Sequence, residues 1–125
     1  MKFHLDTDSG VPFYRQIIEQ VQVGIARGSL QPGDQLPTVR RLAVDLSINP
    51  NTVLRAYRQL EIEKVLQTQQ GSGTFVGPGP IRLEGQDRQR ILDQIITEML
   101  ARGSAYGFSL DDILRALNHS KETPT

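Results

Sequence analysis

The sequence predicts a mainly α-helical protein with a small β-hairpin wing: a winged helix-turn-helix domain followed by a two-helix C-terminal dimerisation tail. Three observations predict this fold class. Two stretches with helical apolar spacing flank a tight turn within about twenty-five residues, which is helix-turn-helix spacing. Two short β-favouring segments follow, separated by a glycine-rich turn. Residues 77–80, which read GPGP, then break regular structure ahead of two more amphipathic stretches.

The composition limits the functions open to this chain. Its 125 residues are enough for one small domain and an appendage. The absence of cysteine excludes disulfides, thiolate metal sites and cysteine nucleophiles, and it suits a reducing cytoplasm. No apolar run approaches the roughly 18 residues that span a bilayer, so we expect a soluble cytoplasmic protein. Fourteen basic residues balance fourteen acidic ones, so the distribution of charge matters more than its sum.

The first predicted helix supplies core to the domain. It follows a short extended arm, residues 1–10, whose last three residues offer a helix cap, and Gly28 closes it. Its apolar residues recur with helical spacing, namely Tyr14, Ile17, Ile18, Val21 and Ile25. A turn-rich connector then holds two apolar anchors, Leu30 and Leu36, which we expect to lie under the domain.

The second predicted helix is short and positions the third. Thr38 can cap it, and Arg40 and Arg41 face outward from its first turn. Its apolar residues mark one buried side, namely Val39, Leu42, Ala43 and Leu46. Residues 47–48 turn the chain directly into the next helix, which completes a helix-turn-helix motif.

The third predicted helix has one face suited to DNA. Asn49 can cap its first turn, and Pro50 at the first helical position lacks an N–H that would have no partner there. The apolar stripe that packs against the domain consists of Val53, Ala56, Tyr57 and Leu60. The opposite face carries donors that can reach base edges and phosphate oxygens, namely Asn51, Arg55 and Arg58, with Thr52 and Gln59 on its flank. No acidic residue lies between residues 49 and 60, although this stretch alone is equally consistent with a solvated surface helix.

A β-hairpin wing is predicted after the motif, with strands at residues 65–69 and 74–76. The turn between them contains Gly71, Ser72 and Gly73, small residues whose backbone N–H groups can approach a phosphate backbone closely. Without context, a Gly-Ser-Gly sequence is more often simply a turn.

Residues 1–77 are predicted to form the DNA-binding domain, and residues 78–125 a linker and a two-helix dimerisation region. The apolar residues of the tail helices form a face on each helix, namely Ile91, Leu92, Ile95, Ile96, Met99, Leu100, Ile113, Leu114 and Leu117. Two short helices cannot bury such faces on their own. They pack either on another copy of the chain, which we favour, or on their own N-terminal domain.

The turn between the tail helices carries local signals of its own. Ser109 with Asp112 resembles a capping arrangement at the start of the last helix. Tyr106 and Phe108 are expected to plug the turn.

Several motifs occur in a fixed order along roughly residues 11–76. They are Pro32-Gly33-Asp34-Gln35-Leu36-Pro37-Thr38, Arg40 with Leu42-Ala43, Asn49-Pro50-Asn51-Thr52-Val53, Ala56-Tyr57, Leu60-Glu61 and Gly71-Ser72-Gly73-Thr74-Phe75-Val76. In this order they resemble the winged helix-turn-helix domain of GntR-type bacterial transcription regulators, and the short tail with the Asn-Pro-Asn-Thr-Val helix start resembles the YtrA-type branch. The resemblance implies a homodimeric repressor that binds an inverted-repeat operator in double-stranded DNA, often near genes for a membrane transporter.

The resemblance also implies roles for individual residues. Arg40 matches a DNA-contacting position at the start of the second helix. The base- and phosphate-facing start of the recognition helix is matched by Asn49, Asn51, Thr52 and Arg55. Residues 71–73 match the wing tip that enters the minor groove.

The chain departs from the family pattern at three places. Pro50 stands where many relatives carry a basic residue, and the following arginine is displaced from position 54 to Arg55, so the operator cannot be copied from the wider family. Arg41 replaces a glutamate that often completes a capping box, which removes that cap and adds a candidate phosphate contact. Lys64 stands where glycine usually ends the third helix in a left-handed conformation, at a cost of about 1 kcal/mol if that geometry is kept.

Two other classes of function compete with DNA binding. An enzyme has little support, because His4 and His119 lie near opposite termini and no P-loop or GxSxG motif occurs. Fewer than fifty residues follow Val76, too few for the aminotransferase-like domain of some relatives. We expect no cofactor and no metal, and any small-molecule effector would bind at the tail or the dimer interface. The third class is a winged-helix protein-protein interaction module, which predicts weakly salt-dependent binding.

Overall fold

The computed structural model describes residues 1–79 and 83–122, in which five helices and one two-stranded antiparallel sheet occur. In chain order the elements are α1 (Phe13–Ala26), α2 (Val39–Leu46), α3 (Pro50–Ile62), β1 (Leu66–Gln69), β2 (Gly73–Val76), α4 (Gly85–Ser104) and α5 (Leu110–Glu122). The chain divides into two compact units, Met1–Pro80 and Ile81–Thr125. The predicted fold class, mainly helical with a hairpin wing, is confirmed. Within the described ranges, no helix is both long enough and apolar enough to cross a membrane.

The core of the first unit is built around the inner side of α3. Val53, Ala56 and Leu60 are 0% exposed and Tyr57 is 1% exposed, so the predicted stripe is confirmed. Helices α1 and α2 both pack against α3. Their predicted apolar residues are buried or packed against the core, namely Tyr14, Ile17, Ile18, Val21, Ile25, Val39, Leu42, Ala43 and Leu46. The anchors Leu30 and Leu36 are buried as expected, and together these side chains fix the orientation of α3 within the unit.

The turn between α2 and α3 depends on a residue with positive φ. Ser47 has φ 56° and ψ 47°, and the N–H of Ile48 donates to the carbonyl of Ala43 over 3.0 Å. This arrangement closes the last turn of α2 and reverses the chain toward Asn49. The sequence places the turn correctly but gives no sign that a serine adopts the left-handed conformation.

The end of α3 is a Schellman motif built on a lysine. Lys64 has φ 63°, and its N–H donates to the carbonyl of Glu61 over 2.9 Å. The N–H of Val65 donates to the carbonyl of Leu60 over 2.8 Å, which is the second bond of that motif. Lys64 therefore adopts the left-handed geometry that usually favours glycine at a helix end, and the chain enters β1 directly.

The wing is attached along the connector before α2. Strands β1 and β2 pair in the register Leu66↔Val76 to Gln69↔Gly73. The connector continues the sheet on the other side of β2, where the N–H of Leu36 donates to the carbonyl of Thr74 over 2.9 Å. Because β2 is paired on both sides, the wing is held against the body of the unit.

The N-terminal arm is fastened to α1 by two glutamine side chains. Gln20 exchanges two hydrogen bonds with the backbone of His4, and Gln16 does the same with Asp6. Four residues of helix rise about 6 Å and two residues of extended chain about 6.6 Å, so the two spacings match. Phe3, on the opposite face of the arm, is 7% exposed and completes the core.

The predicted cap of α1 in residues 8–10 is wrong. The helix begins at Phe13 after Pro12 and has no side-chain cap. Ser9 lies outside the first turn, and its hydroxyl accepts a hydrogen bond from the N–H of Val11 instead. Gly28, with φ 82°, follows the end of α1 as predicted.

The second unit consists of α4 and α5, and α5 begins with the predicted capping box. The carboxylate of Asp112 accepts a hydrogen bond from the N–H of Ser109 over 2.8 Å, and the Ser109 hydroxyl accepts one from the N–H of Asp112 over 3.1 Å. The hydrogen bond from the Ser109 backbone, together with the nearby Ser109 hydroxyl and the Arg115 guanidinium, lowers the pKa of Asp112. The prediction that two aromatic side chains plug the turn is wrong, because Tyr106 is 73% and Phe108 57% exposed. Their ring centroids lie 6.4 Å apart.

Candidate nucleic-acid interface

The outward face of α3 is a shallow groove whose lining mixes two arginines and two amides with two aliphatic side chains. Asn51, Arg55 and Arg58 are exposed and lie along it at helical spacing. Leu54, Gln59 and Ile62 complete the lining. Three of the predicted DNA-facing side chains, Asn51, Arg55 and Arg58, therefore share one surface opposite the buried stripe, whereas Thr52 does not line it.

The first turn of α3 is arranged by Asn49. Its side-chain oxygen accepts a hydrogen bond from the N–H of Asn51 over 2.8 Å, so the predicted cap is confirmed, and Pro50 occupies the first helical position. The oxygen is used in this bond, which leaves the amide NH2 of Asn49 as a donor. Thr52 is half-buried beside it. A capped helix N-terminus with outward donors favours a negatively charged partner.

Arg55 has a partner that the sequence did not indicate. Its guanidinium carbon lies 3.8 Å from the ring centroid of Tyr14. Tyr14 belongs to α1 and was predicted only as a core residue, and its ring does pack against the core. The contact depends on how α1 crosses α3, which no local pattern reveals.

The other arginines differ in how free they are. Arg40 and Arg58 make no hydrogen bond or ion pair within residues 1–79 and 83–122. Arg41 pairs with Asp45 through its Nε atom at 3.2 Å, with side chains that are 74% and 50% exposed. An ion pair this exposed contributes little to stability, but it holds the Arg41 guanidinium along α2.

Thr38 caps α2, and Tyr57 links α3 to the residue before that cap. The Thr38 hydroxyl accepts a hydrogen bond from the N–H of Arg41 over 3.1 Å, so the predicted cap is confirmed. The phenol of Tyr57, on α3, donates to the carbonyl of Pro37 over 2.7 Å. Burial raises the pKa of Tyr57, so the phenol stays a donor at neutral pH. This bond fixes the position of Pro37, the residue directly before Thr38, which caps α2.

The acidic side chains nearest the groove lie at the end of α3 and have neutral partners. The Glu61 carboxylate accepts a hydrogen bond from the Thr68 hydroxyl over 2.6 Å. The Glu63 carboxylate accepts one from the amide of Gln59 over 3.0 Å. The acidic residues of α3 all lie beyond Leu60, so its first three turns carry no negative charge.

The wing tip is held by a side chain from the connector. Gly71 has φ 84° at the third position of a turn that the Ser72 N–H closes on the carbonyl of Gln69, so this position favours glycine. The side-chain amide of Gln35 donates to the carbonyl of Ser72 over 3.1 Å. A Cβ atom on Gly73, whose φ is 128°, would lie 2.7 Å from the Gln35 amide nitrogen. Glycine at position 73 thus permits the contact that orients the tip.

The structure brings the predicted residues together in three groups. Thr38, Arg40 and Arg41 start α2, the residues from Asn49 to Arg58 lie along α3, and residues 71–73 form the wing tip. No hydrogen bond within the described residues joins the wing tip to α3 directly. No group of three or more metal-ligating side chains occurs in the part of the chain described here.

A helix-turn-helix whose second helix carries an exposed basic face, followed by a wing, defines a class of DNA-binding transcription regulators. Residues 13–76 match the family model described as "Bacterial regulatory proteins, gntR family". The chain therefore belongs to the GntR family of transcriptional regulators.

Two relatives match over most of their length. The chain is 31% identical to the HTH-type transcriptional repressor YtrA of Bacillus subtilis, covering 87% of this chain and 84% of the relative. It is 36% identical to the HTH-type transcriptional regulator Rv1152 of Mycobacterium tuberculosis, covering 92% and 90%. Relatives of this kind are transcription regulators and not enzymes.

Solved structures show the same architecture. A transcriptional antiterminator from Listeria monocytogenes EGD-e is 26% identical and superposes with a TM-score of 0.78, covering 97% of this chain and 90% of that one. AraR(DBD) in complex with operator ORE1 is 27% identical with a TM-score of 0.51, covering 62% and 94%.

Proposed function

We propose that this protein is a sequence-specific DNA-binding repressor that binds an inverted-repeat operator as a homodimer. The observation that carries the proposal is the outward face of α3, on which Asn51, Arg55 and Arg58 are exposed and no acidic residue lies from position 49 to position 60. The operator complex of AraR(DBD) and the repressor name of YtrA support it by analogy. Such a protein would act in the cytoplasm and associate with the nucleoid when bound to DNA.

The side chains of α3 would read bases. Arginine can bind guanine O6 and N7 with two hydrogen bonds, and asparagine can bind adenine in the same way. Arg55 and Asn51 are placed for these roles, and Thr52 and Arg58 flank them for base or phosphate contacts. The free amide donor of Asn49 and the capped N-terminus add a site for a phosphate oxygen.

The start of α2 and the wing would position the protein on the duplex. Arg40 has no competing partner among the described residues and would bind phosphate, with Thr38 and Arg41 beside it. The wing tip, residues 71–73, presents small residues that allow close approach to the minor groove. Contacts of this kind raise affinity for all sequences and lower it as salt rises.

The second unit would supply the dimer contact. Its apolar side chains remain largely exposed within the unit, among them Ile95 at 54%, Leu117 at 50% and Leu114 at 46%. Ile91, Leu100 and Ile113 are half-buried in the same surface. A second copy would cover this surface and set two recognition helices about one DNA turn, roughly 34 Å, apart. The resemblance to the YtrA branch extends the proposal to control of the protein's own operon and of a transporter.

One observation favours a second candidate, a protein-protein interaction module. Val44 on α2 is 72% exposed and Ile62 at the end of α3 is 75% exposed, so the unit also offers exposed apolar contacts. Binding through them would depend weakly on salt, whereas binding through several phosphates falls steeply as salt rises.

The experiment begins by selecting duplexes from a random library with the wild-type protein. The selected duplex and a scrambled duplex of equal composition are then titrated by fluorescence anisotropy at several salt concentrations. We expect a selected inverted repeat, tighter binding to it than to the scrambled duplex, and log affinity that falls linearly with log salt. Failure to enrich any sequence, or binding independent of salt, would overturn the proposal in favour of the interaction module.

A further inference from the structure

We propose that Tyr14 is a positioning residue for DNA recognition, although it lies on the core-forming helix α1. It would hold the guanidinium of Arg55 in the orientation that reads a base. This inference rests on the proposed function and names a specificity determinant outside the recognition helix.

The geometry of the pair carries the inference. The guanidinium carbon of Arg55 lies 3.8 Å from the Tyr14 ring centroid, which is stacking distance. The Tyr14 ring packs against the hydrophobic core, so its position is fixed by the fold, while Arg55 is exposed. Within the described residues this ring is the one partner of that guanidinium.

The chemistry of stacking leaves the reading edge free. A guanidinium stacks through its face, and its N–H donors point outward in its plane. Two of these N–H groups that lie side by side can donate hydrogen bonds to guanine O6 and N7. A carboxylate in place of the ring would occupy the same donors and bring negative charge next to DNA. The aromatic ring orients Arg55 without competing for its hydrogen bonds.

The stack also reduces the freedom that Arg55 loses on binding. A long exposed arginine samples many rotamers, and ordering it lowers affinity. An arginine already held over a ring loses less, so we expect the stack to increase affinity for the selected duplex by about three- to tenfold.

The test combines Tyr14→Leu and Tyr14→Phe with Arg55→Ala. Each variant and the double variant Tyr14→Leu/Arg55→Ala are titrated against the selected and the scrambled duplex. We expect Tyr14→Leu to weaken binding to the selected duplex about three- to tenfold and to relax preference at one guanine per half-site. Tyr14→Phe keeps the ring and should bind as the wild type. In the Arg55→Ala background, Tyr14→Leu should have no further effect.

Three results would overturn the assignment of Tyr14. An equal loss with and without Arg55 would make Tyr14 a purely structural residue. Unchanged preference in Tyr14→Leu would make the stack irrelevant to recognition. Tighter binding by Tyr14→Leu would mean that the ring withholds Arg55 from DNA. Thermal melting accompanies each titration, and where Tyr14→Leu does not fold, Tyr14→Met replaces it.

The failure of this inference is distinguishable from that of the proposed function. A wild-type protein that selects no sequence overturns both. A wild-type protein that selects an operator, with Tyr14→Leu unchanged in preference, overturns only the role of Tyr14.

Discussion

Lys64 adopts a strained backbone conformation. Its φ of 63° lies in the left-handed region, which is rare for a residue with a Cβ atom. We expect Lys64→Gly to raise the free energy of unfolding by about 0.5 to 1 kcal/mol, the relief of strain being partly offset by the greater freedom of glycine in the unfolded chain. Urea unfolding at 25 °C measures the difference. Lys64→Ala, which keeps the Cβ atom and removes the charge, is the matched control and should change stability little. Equal stability of the wild type and Lys64→Gly would contradict this account of the helix end.

Residues whose role depends on their neighbours in sequence can be predicted. The caps by Thr38 and Asn49 each need a donor within three positions, and both form. The contacts of Tyr14 with Arg55 and of Gln35 with the wing tip cannot be predicted in this way. Each joins side chains on different elements, and their distance is set by how those elements pack rather than by any period in the sequence.

At the scale of elements, the side chain of Gln16 holds the N-terminal arm against α1. Its side chain is 8% exposed and bonds the N–H and carbonyl of Asp6, the hydroxyl of Ser9 and the carbonyl of Val11. We expect Gln16→Ala to lower the free energy of unfolding by about 1 to 3 kcal/mol, because partly buried backbone groups lose their partner. Urea unfolding tests this, with exposed Gln22→Ala on the same helix as the control. Equal effects of the two changes would show that the arm is not held by Gln16.

The wing depends in the same way on Gln35. We expect Gln35→Ala to release the carbonyl of Ser72 and loosen the tip. Because the tip is proposed to contact the backbone rather than bases, affinity for the selected and the scrambled duplex should fall by a similar factor, about two- to fivefold. Gln31→Ala, in the same connector, removes a side chain that donates to the carbonyl of Gly28 rather than to the wing, and serves as the control. A loss confined to the selected duplex would place base recognition in the wing.

The elements themselves can be predicted well, because each has a strong period and clear ends. The buried stripe of α3 follows from spacing alone, and the hairpin follows from two β-favouring runs around glycine. The arm is harder to predict. Its extended chain has no period of its own, and its structure comes from glutamines on α1 that look like ordinary surface residues in the sequence.

At the scale of the whole molecule, the apolar side chains of α4 need a covering surface. We expect Ile95→Asp with Met99→Asp to give a monomer by sedimentation velocity, because two charges would have to be buried in the dimer contact. Gln94→Asp with Ala101→Asp adds the same charge on the opposite side of α4 and should leave the dimer intact. If the variant with Ile95→Asp and Met99→Asp remains a dimer, the interface does not lie on this face of α4. The sequence indicates which residues need burial but not which surface buries them.

The central claim is that the outward face of α3 reads base sequence, and Arg55 and Arg40 test it most directly. The measurement is a titration of the wild type, Arg55→Ala and Arg40→Ala against the selected and the scrambled duplex. We predict that Arg55→Ala lowers the affinity for the selected duplex about tenfold to a hundredfold and the affinity for the scrambled duplex little. The preference for the selected duplex is then lost. Arg40→Ala should weaken both by a similar factor and reduce the salt dependence. Unchanged affinity and preference in Arg55→Ala would contradict the account.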